Sequence, residues 1–151
     1  MADARARLDQ LNIVAGDLAR SAAYYRRLGV RIGPLVRNAA SEAYHASAEA
    51  GAGLALKLDS PAFAPIWNEG WAGRDDLAGR VVIGFRLATR AAVDALYAEL
   101  LAAGHRGLSP PCDAFWGARY AIVADPDGLA VGLMSPIDPA RRTGPSEGWR
   151  T

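Results

Sequence analysis

The chain has 151 residues, 51% apolar and 22% charged, with a formal net charge of +1. That is about one domain's worth of sequence with enough apolar content for a core, which excludes a disordered chain. The balanced charge offers no field for nucleic acid or an anionic membrane surface, and no apolar run reaches membrane-spanning length.

Sixteen of the 17 basic residues are Arg, Lys57 being the exception, a bias that goes with abundant Ala and reads as genome composition. The lone Cys112 cannot form an internal disulfide and suits a reducing compartment. The opening MADARARLDQ has no apolar h-region. The expectation is a cytoplasmic protein.

In chain order, LDQLNIVA (Leu8–Ala15) alternates and predicts a strand. Asp17 then offers an N-cap for a helix to Leu28, with Leu18, Ala22, Tyr25 and Leu28 on one face and Gly29 as its stop. VRIGPLVR, SEAYHASAEA and GLALKLDS predict three short strands split by NAA and GAG turns. Ser60–Gly79 has no regular period and reads as a loop.

The pattern then returns. RVVIGFRL predicts a strand, and Thr89 caps a helix to Ala103 carrying Val93, Leu96, Tyr97 and Leu100. A strand or loop through HRGLSPPCDAFW, then the strands ARYAIVAD and LAVGLMS, complete the second run. DPDG (Asp125–Gly128) reads as a tight turn in which Asp127 bonds its own backbone and Gly128 takes a positive φ. The strand after it is bulky on one face, at Leu129, Val131 and Leu133, and bare on the other, at Ala130 and Gly132. The tail from Pro136 to Thr151 is Pro-, Arg- and Gly-rich and is expected to be irregular.

Strand, helix and three strands therefore occur twice. The fold class is α+β: two βαβββ modules, over 8–59 and 80–135, joined by a linker at 60–79 and bending sheet around a cleft.

LNIVAGDLARSAAYYRRLG, VVIGFRLATRAAVDALYAELLAAG and DPDGLAVGL, in this order and spacing, resemble the vicinal oxygen chelate superfamily, the glyoxalase and bleomycin-resistance group, over Leu8 to Ser135. The resemblance implies a single domain of paired βαβββ modules lining a U-shaped pocket, often as a homodimer. It also implies a divalent metal held by His and Glu, residue types that suit hard or borderline cations.

Carried over position by position, the ligands are not kept. The His seven before the capping Asp is Gln10, and the His three before the strand Phe is Val82. The Glu four after the turn's last Gly is Gly132, and the fourth ligand aligns with Ala55. The expectation is a cleft with no metal and no cofactor, enlarged and mostly apolar, with Gln10 and Asn12 as its polar points.

Other candidates have competing readings. His45 faces either the cleft or solvent. His105 follows the second predicted helix and reads as a surface residue. Cys112 has no neighbouring His to make it a nucleophile. Lys57 either shares the face of Ala55 and points inward or snorkels out at a strand end.

Trp67, Trp71, Phe115, Trp116 and Tyr120 either cover a core edge or offer flat faces to a conjugated ligand; Trp149 is too isolated to interpret. Two functions compete. One is a metal-free protein that sequesters a hydrophobic or aromatic small molecule such as an antibiotic. The other is a lyase, isomerase or dioxygenase with non-standard ligands or none. An acid-base enzyme needs a positioned titratable group, and the nominees are His45, Glu42, Lys57 and Asp113.

Overall fold

The computed structural model describes residues 10–68 and 81–144. The chain divides into two compact units, residues 1–74 and 75–151. Among the described residues, no helix is long and apolar enough to cross a membrane.

The first unit runs β1 (Gln10–Val14), α1 (Leu18–Arg27), β2 (Val36–Arg37), β3 (Ala43–Glu49), β4 (Ala55–Asp59) and a short α2 (Ala64–Trp67). Its four strands lie in the order β1-β4-β3-β2, with β1 parallel to β4 and the other pairings antiparallel. The second unit runs β5 (Val82–Arg86), α3 (Arg90–Ala102), β6 (Gly107–Asp113), β7 (Arg119–Ala124) and β8 (Ala130–Met134). Its order is β5-β8-β7-β6 with the same parallel and antiparallel pattern. Each unit is thus one βαβββ module with a mixed four-stranded sheet that does not close.

The caps explain the helices. The Asp17 carboxylate accepts from Arg20 N at 2.9 Å and the Thr89 hydroxyl from Ala92 N at 3.1 Å, each satisfying an amide with no partner inside the helix. Gly29, at φ +86°, ends α1. Arg26 then holds the returning chain, donating to Ile32 O and Gly33 O at 3.1 and 2.8 Å.

Each helix packs on one face of its sheet, and period-two alternation sorts the strands about that face. Ile13, Ala46, Leu56 and Leu58 lie buried beneath α1 with Leu18, Ala22 and Tyr25. Ala121, Val123, Val131 and Leu133 lie buried beneath α3 with Val93 and Leu100. Every other strand residue is left on an open face, and those faces carry the candidate chemistry.

Three expectations are corrected. The strand expected over VRIGPLVR shrinks to Val36–Arg37: Pro34 has no N–H to give a ladder, and Gly33 N bonds Ser47 O at 3.0 Å before regular pairing begins. The loop after Ser60 contains α2, started by Ser60, whose hydroxyl and carbonyl accept from Phe63 N and from Ala64 N at 3.2 and 3.0 Å. The DPDG turn has a bond that the reading did not assign: the Asp125 side chain accepts from Asp127 N at 2.9 Å and Leu129 N at 2.8 Å; Gly128 takes φ +91° as expected.

The third is the tail. It holds a 3-10 turn at Pro139–Arg141, and Asp138 N and Thr143 N donate to Gly117 O and Phe115 O at 3.1 and 3.0 Å. The chain after β8 therefore clamps the loop between β6 and β7.

Candidate functional site

The open face of the first sheet is polar. Ladder register aligns Gln10 with Ala55 and Glu49, Asn12 with Lys57 and Ser47, and Val14 with Asp59 and His45. Five of the sequence candidates, Gln10, Asn12, His45, Ala55 and Lys57, share this face.

The sequence reading missed the residue that organises it. Asp59, 1% exposed, accepts from Asn12 Nδ2 at 3.2 Å and bonds His45 Nδ1 at 2.7 Å. A carboxylate this buried needs donors to remain acceptable, and here each oxygen has one. Phe63 borders the cluster, its ring 6.3 Å from that of His45 and 4.8 Å from that of Tyr44. Lys57 makes no ion pair among the described residues and is half-buried. The parity of Ala55, Lys57 and Asp59 was the signal in the sequence that placed all three on one face.

The open face of the second sheet is small and aromatic. It carries Val82, Gly84, Ala130, Gly132, Tyr120 and Ile122 in aligned register, with Arg86 and Met134 at its end. The rings of Tyr120 and Trp116 meet edge to face at 5.3 Å, and those of Trp116 and Phe115 at 5.0 Å. Phe115 and Trp116 sit in the loop the tail clamps. Gly117 belongs there for a backbone reason: its φ is +94°, and a Cβ would stand 2.3 Å from Asp138 O.

Gly132 departs from expectation. A Cβ there would meet Tyr120 Oη at 2.7 Å and the ring's Cε2 and Cζ at 3.1 and 3.2 Å. The space a Glu would need is filled by Tyr120, so the loss of that side chain does not enlarge the concavity at this point. The unfilled place is one strand over, at Gly84, where a Cβ would meet nothing within 4 Å, beside Val82 at 44% exposure.

Register also corrects the fourth metal position. Gly132 lies opposite Gly84, two residues past Val82. The equivalent residue in the first module lies opposite Asn12, two past Gln10, and is Lys57 rather than Ala55. The four positions therefore carry Gln10, Lys57, Val82 and Gly132: an amide, an ammonium, an isopropyl group and a hydrogen. Neither pair, Gln10 with Lys57 in the first module or Val82 with Gly132 in the second, fits a divalent cation, and a lysine ammonium in place of a carboxylate opposes one. Among the described residues no three His, Cys, Asp or Glu side chains are grouped to hold a metal.

The remaining candidates lie elsewhere. Trp67 ends α2 and is 45% exposed; Trp71 lies outside the described residues. Glu42 is exposed and accepts from Asn38 Nδ2 at 3.1 Å. Cys112 is an exposed free thiol opposite Tyr120.

Asp113 borders a concavity of about 240 Å³ on the second module, together with Arg90 and Arg141. It is committed to Arg90 and to Arg119, the latter at 3.0 Å, and Arg119 also bonds Asp94 at 2.9 Å. The hydrogen bond from Arg119, with Arg90 and Arg141 adding to it, holds the Asp113 carboxyl below the usual aspartate range. A carboxylate fixed in this way is a poor general base.

Residues 7–133 match the family model described as Glyoxalase/Bleomycin resistance protein/Dioxygenase superfamily. No curated protein matches the chain. Among solved structures it is similar to a glyoxalase-related enzyme from Fulvimarina pelagi, at 23% identity and TM-score 0.71 over 86% of this chain and 88% of that one. It is similar to a glyoxalase/bleomycin resistance protein/dioxygenase from Nocardioides, at 25% identity and TM-score 0.67 over 95% and 91%. A family enzyme from Burkholderia phytofirmans PsJN aligns at 19% identity and TM-score 0.68 over 86% and 98%.

Proposed function

Because this chain belongs to the glyoxalase/bleomycin resistance protein/dioxygenase superfamily, yet carries Gln10, Lys57, Val82 and Gly132 where metal-binding members place His and Glu, we propose that it is a metal-free binding protein. It sequesters a flat hydrophobic or aromatic small molecule, of which an antibiotic is one example. The observation that carries this reading is the edge-to-face run of Phe115, Trp116 and Tyr120, with Tyr120 lying over Gly132 and the side-chain-free position Gly84 one strand further on.

Aromatic faces held by packing lose little entropy when a planar ligand stacks on them. Val82 and Ile122 supply apolar surface, and the backbone at Gly84 allows close approach. The tail's hydrogen bonds to Phe115 O and Gly117 O hold the loop in place before any ligand arrives. The working assembly in this reading is a cytoplasmic homodimer. Support comes from the edge strands of each sheet, β1 and β2 in one and β5 and β6 in the other, which pairing between copies would protect.

The alternative, lyase, isomerase or dioxygenase chemistry at the family metal site, has no donor set at the four matched positions. Three measurements test the proposal. Acridone, a neutral planar three-ring compound, should quench Trp fluorescence saturably, while methylglyoxal–thiol adducts should not. Elemental analysis should find well under one equivalent of Zn, Ni, Mn or Fe. Light scattering should give twice the chain mass. One tightly bound metal ion per chain, or no saturable quenching, would overturn the reading.

A further inference from the structure

We propose that His45, Asp59 and Asn12 form a proton-accepting site on the open face of the first sheet, which binds a weakly acidic hydroxyl of the phenol or enol class. This rests on the first module alone and is independent of the aromatic face described above.

Asp59 lies directly opposite His45 in the β3–β4 ladder. Its Oδ1 lies 2.7 Å from His45 Nδ1, and its Oδ2 accepts from Asn12 Nδ2 at 3.2 Å. Asn12 thereby fixes the carboxylate plane, and the carboxylate fixes the imidazole. A neutral imidazole bonded to an ionised carboxylate through Nδ1 carries its proton there, which leaves Nε2 as a lone-pair acceptor. Nε2 has no partner among the described residues, and the His45 side chain is 25% exposed against 2% for Asp59. The orienting half of the pair is therefore shut away while the accepting half is reachable.

A pair serving only to tie β3 to β4 has no need of a reachable acceptor, nor of the cation beside it. Lys57, two residues before Asp59 on the same strand face, holds an ammonium with no ion pair among the described residues. An acceptor nitrogen and a free cation on one face match a group that gives up a proton and becomes an anion. Phe63, 6.3 Å from His45 between ring centres, offers an apolar border for the rest of such a ligand.

The step balances without a co-reactant. The ligand O–H bond breaks as an N–H bond forms at Nε2. The electron pair stays on the ligand oxygen, on the same sheet face as the Lys57 ammonium. Nδ1 stays hydrogen-bonded to Asp59, and the proton returns when the ligand leaves. An aliphatic alcohol is too weak an acid for this exchange, and a carboxylic acid is already ionised at neutral pH.

The test uses the full chain and 4-nitrophenol, whose phenolate is coloured, in buffer near neutral pH, where part of the free compound is un-ionised and an imidazole with the ordinary value of about 6.5 is mostly neutral. Titrating protein into it should raise phenolate absorbance saturably. The ¹⁵N spectrum of the His45 ring should show Nδ1 protonated and Nε2 bare in the free protein, and both protonated with 4-nitrophenol bound. His45→Gln should lower phenolate formation at least tenfold, and Lys57→Met several-fold, in variants whose circular dichroism matches wild type.

The NMR experiment needs no variant. A free protein with Nε2 protonated and Nδ1 bare would overturn the proposal, as would a His45 ring unchanged by saturating 4-nitrophenol. Absorbance that rises equally in wild type and His45→Gln would also overturn it.

Discussion

The two modules share one architecture and diverge on one face. Beneath α1 and α3 the same alternation buries Leu56 and Leu58 in the first module and Val131 and Leu133 in the second. On the opposite faces, Asn12, Lys57, Asp59 and His45 make the first polar, whereas Val82, Gly84, Gly132 and Tyr120 make the second apolar and aromatic. Helix-facing positions answer to packing, where a lost methylene is felt at once. Open-face positions are free of that constraint. A repeated unit can therefore keep its fold while its two faces take on separate chemistry.

The comparison breaks first in the cores. Leu58→Ala and Leu133→Ala remove fully buried side chains from equivalent strands, and each should cost about 2–5 kcal/mol in urea unfolding. If one is silent, the helix faces are not equivalent.

The next largest effect separates two glycines on neighbouring strands. Gly132→Ala must push Tyr120 aside and should cost about 1–3 kcal/mol, a penalty that should shrink in a Tyr120→Leu background. Gly84→Ala enters open space and should change stability by no more than about 0.5 kcal/mol. Equal penalties at both glycines would mean that Tyr120 does not fill the place beside Gly132.

The smallest effect lies outside both faces. Asp113 is an exposed ion-pair partner whose folded pKa is lowered, chiefly by the hydrogen bond from Arg119. A depressed carboxylate adds stability above its unfolded value, about 3.9, and loses it as pH falls through the folded value. Asp113→Asn should thus lower the urea midpoint slightly at neutral pH, by less than Gly132→Ala does. The difference should close in acid, and a difference that grows as pH falls would contradict this sign.

The elements that local chemistry dictates were legible in the sequence. Asp17 and Thr89 announced their helices, Gly29 and Gly128 their turns, and the repeated change of period from two to 3.6 announced the two modules. What stayed hidden depends on which strands pair and in what register. Asp59 closed a run read only as a strand end, and its partner His45 stands 14 residues away across a ladder. The Lys57 equivalence to Gly132 emerges only when β1–β4 is laid over β5–β8. Tyr120 fills the place beside Gly132 from the neighbouring strand, so a bare face in the sequence became a covered one in the fold. The tail read as irregular by composition, yet its backbone donors clamp the loop of Phe115 and Trp116.

The most direct test of the account is an NMR titration of the full chain with acridone, following the Trp116 indole N–H and the amides of β5 and β8. The account predicts saturable shifts at Trp116, Gly84 and Val82, affinity at least tenfold weaker in Trp116→Leu, a loss of about 1.4 kcal/mol, and unchanged affinity in His45→Gln. Acridone binding with the same affinity in wild type and Trp116→Leu would contradict it.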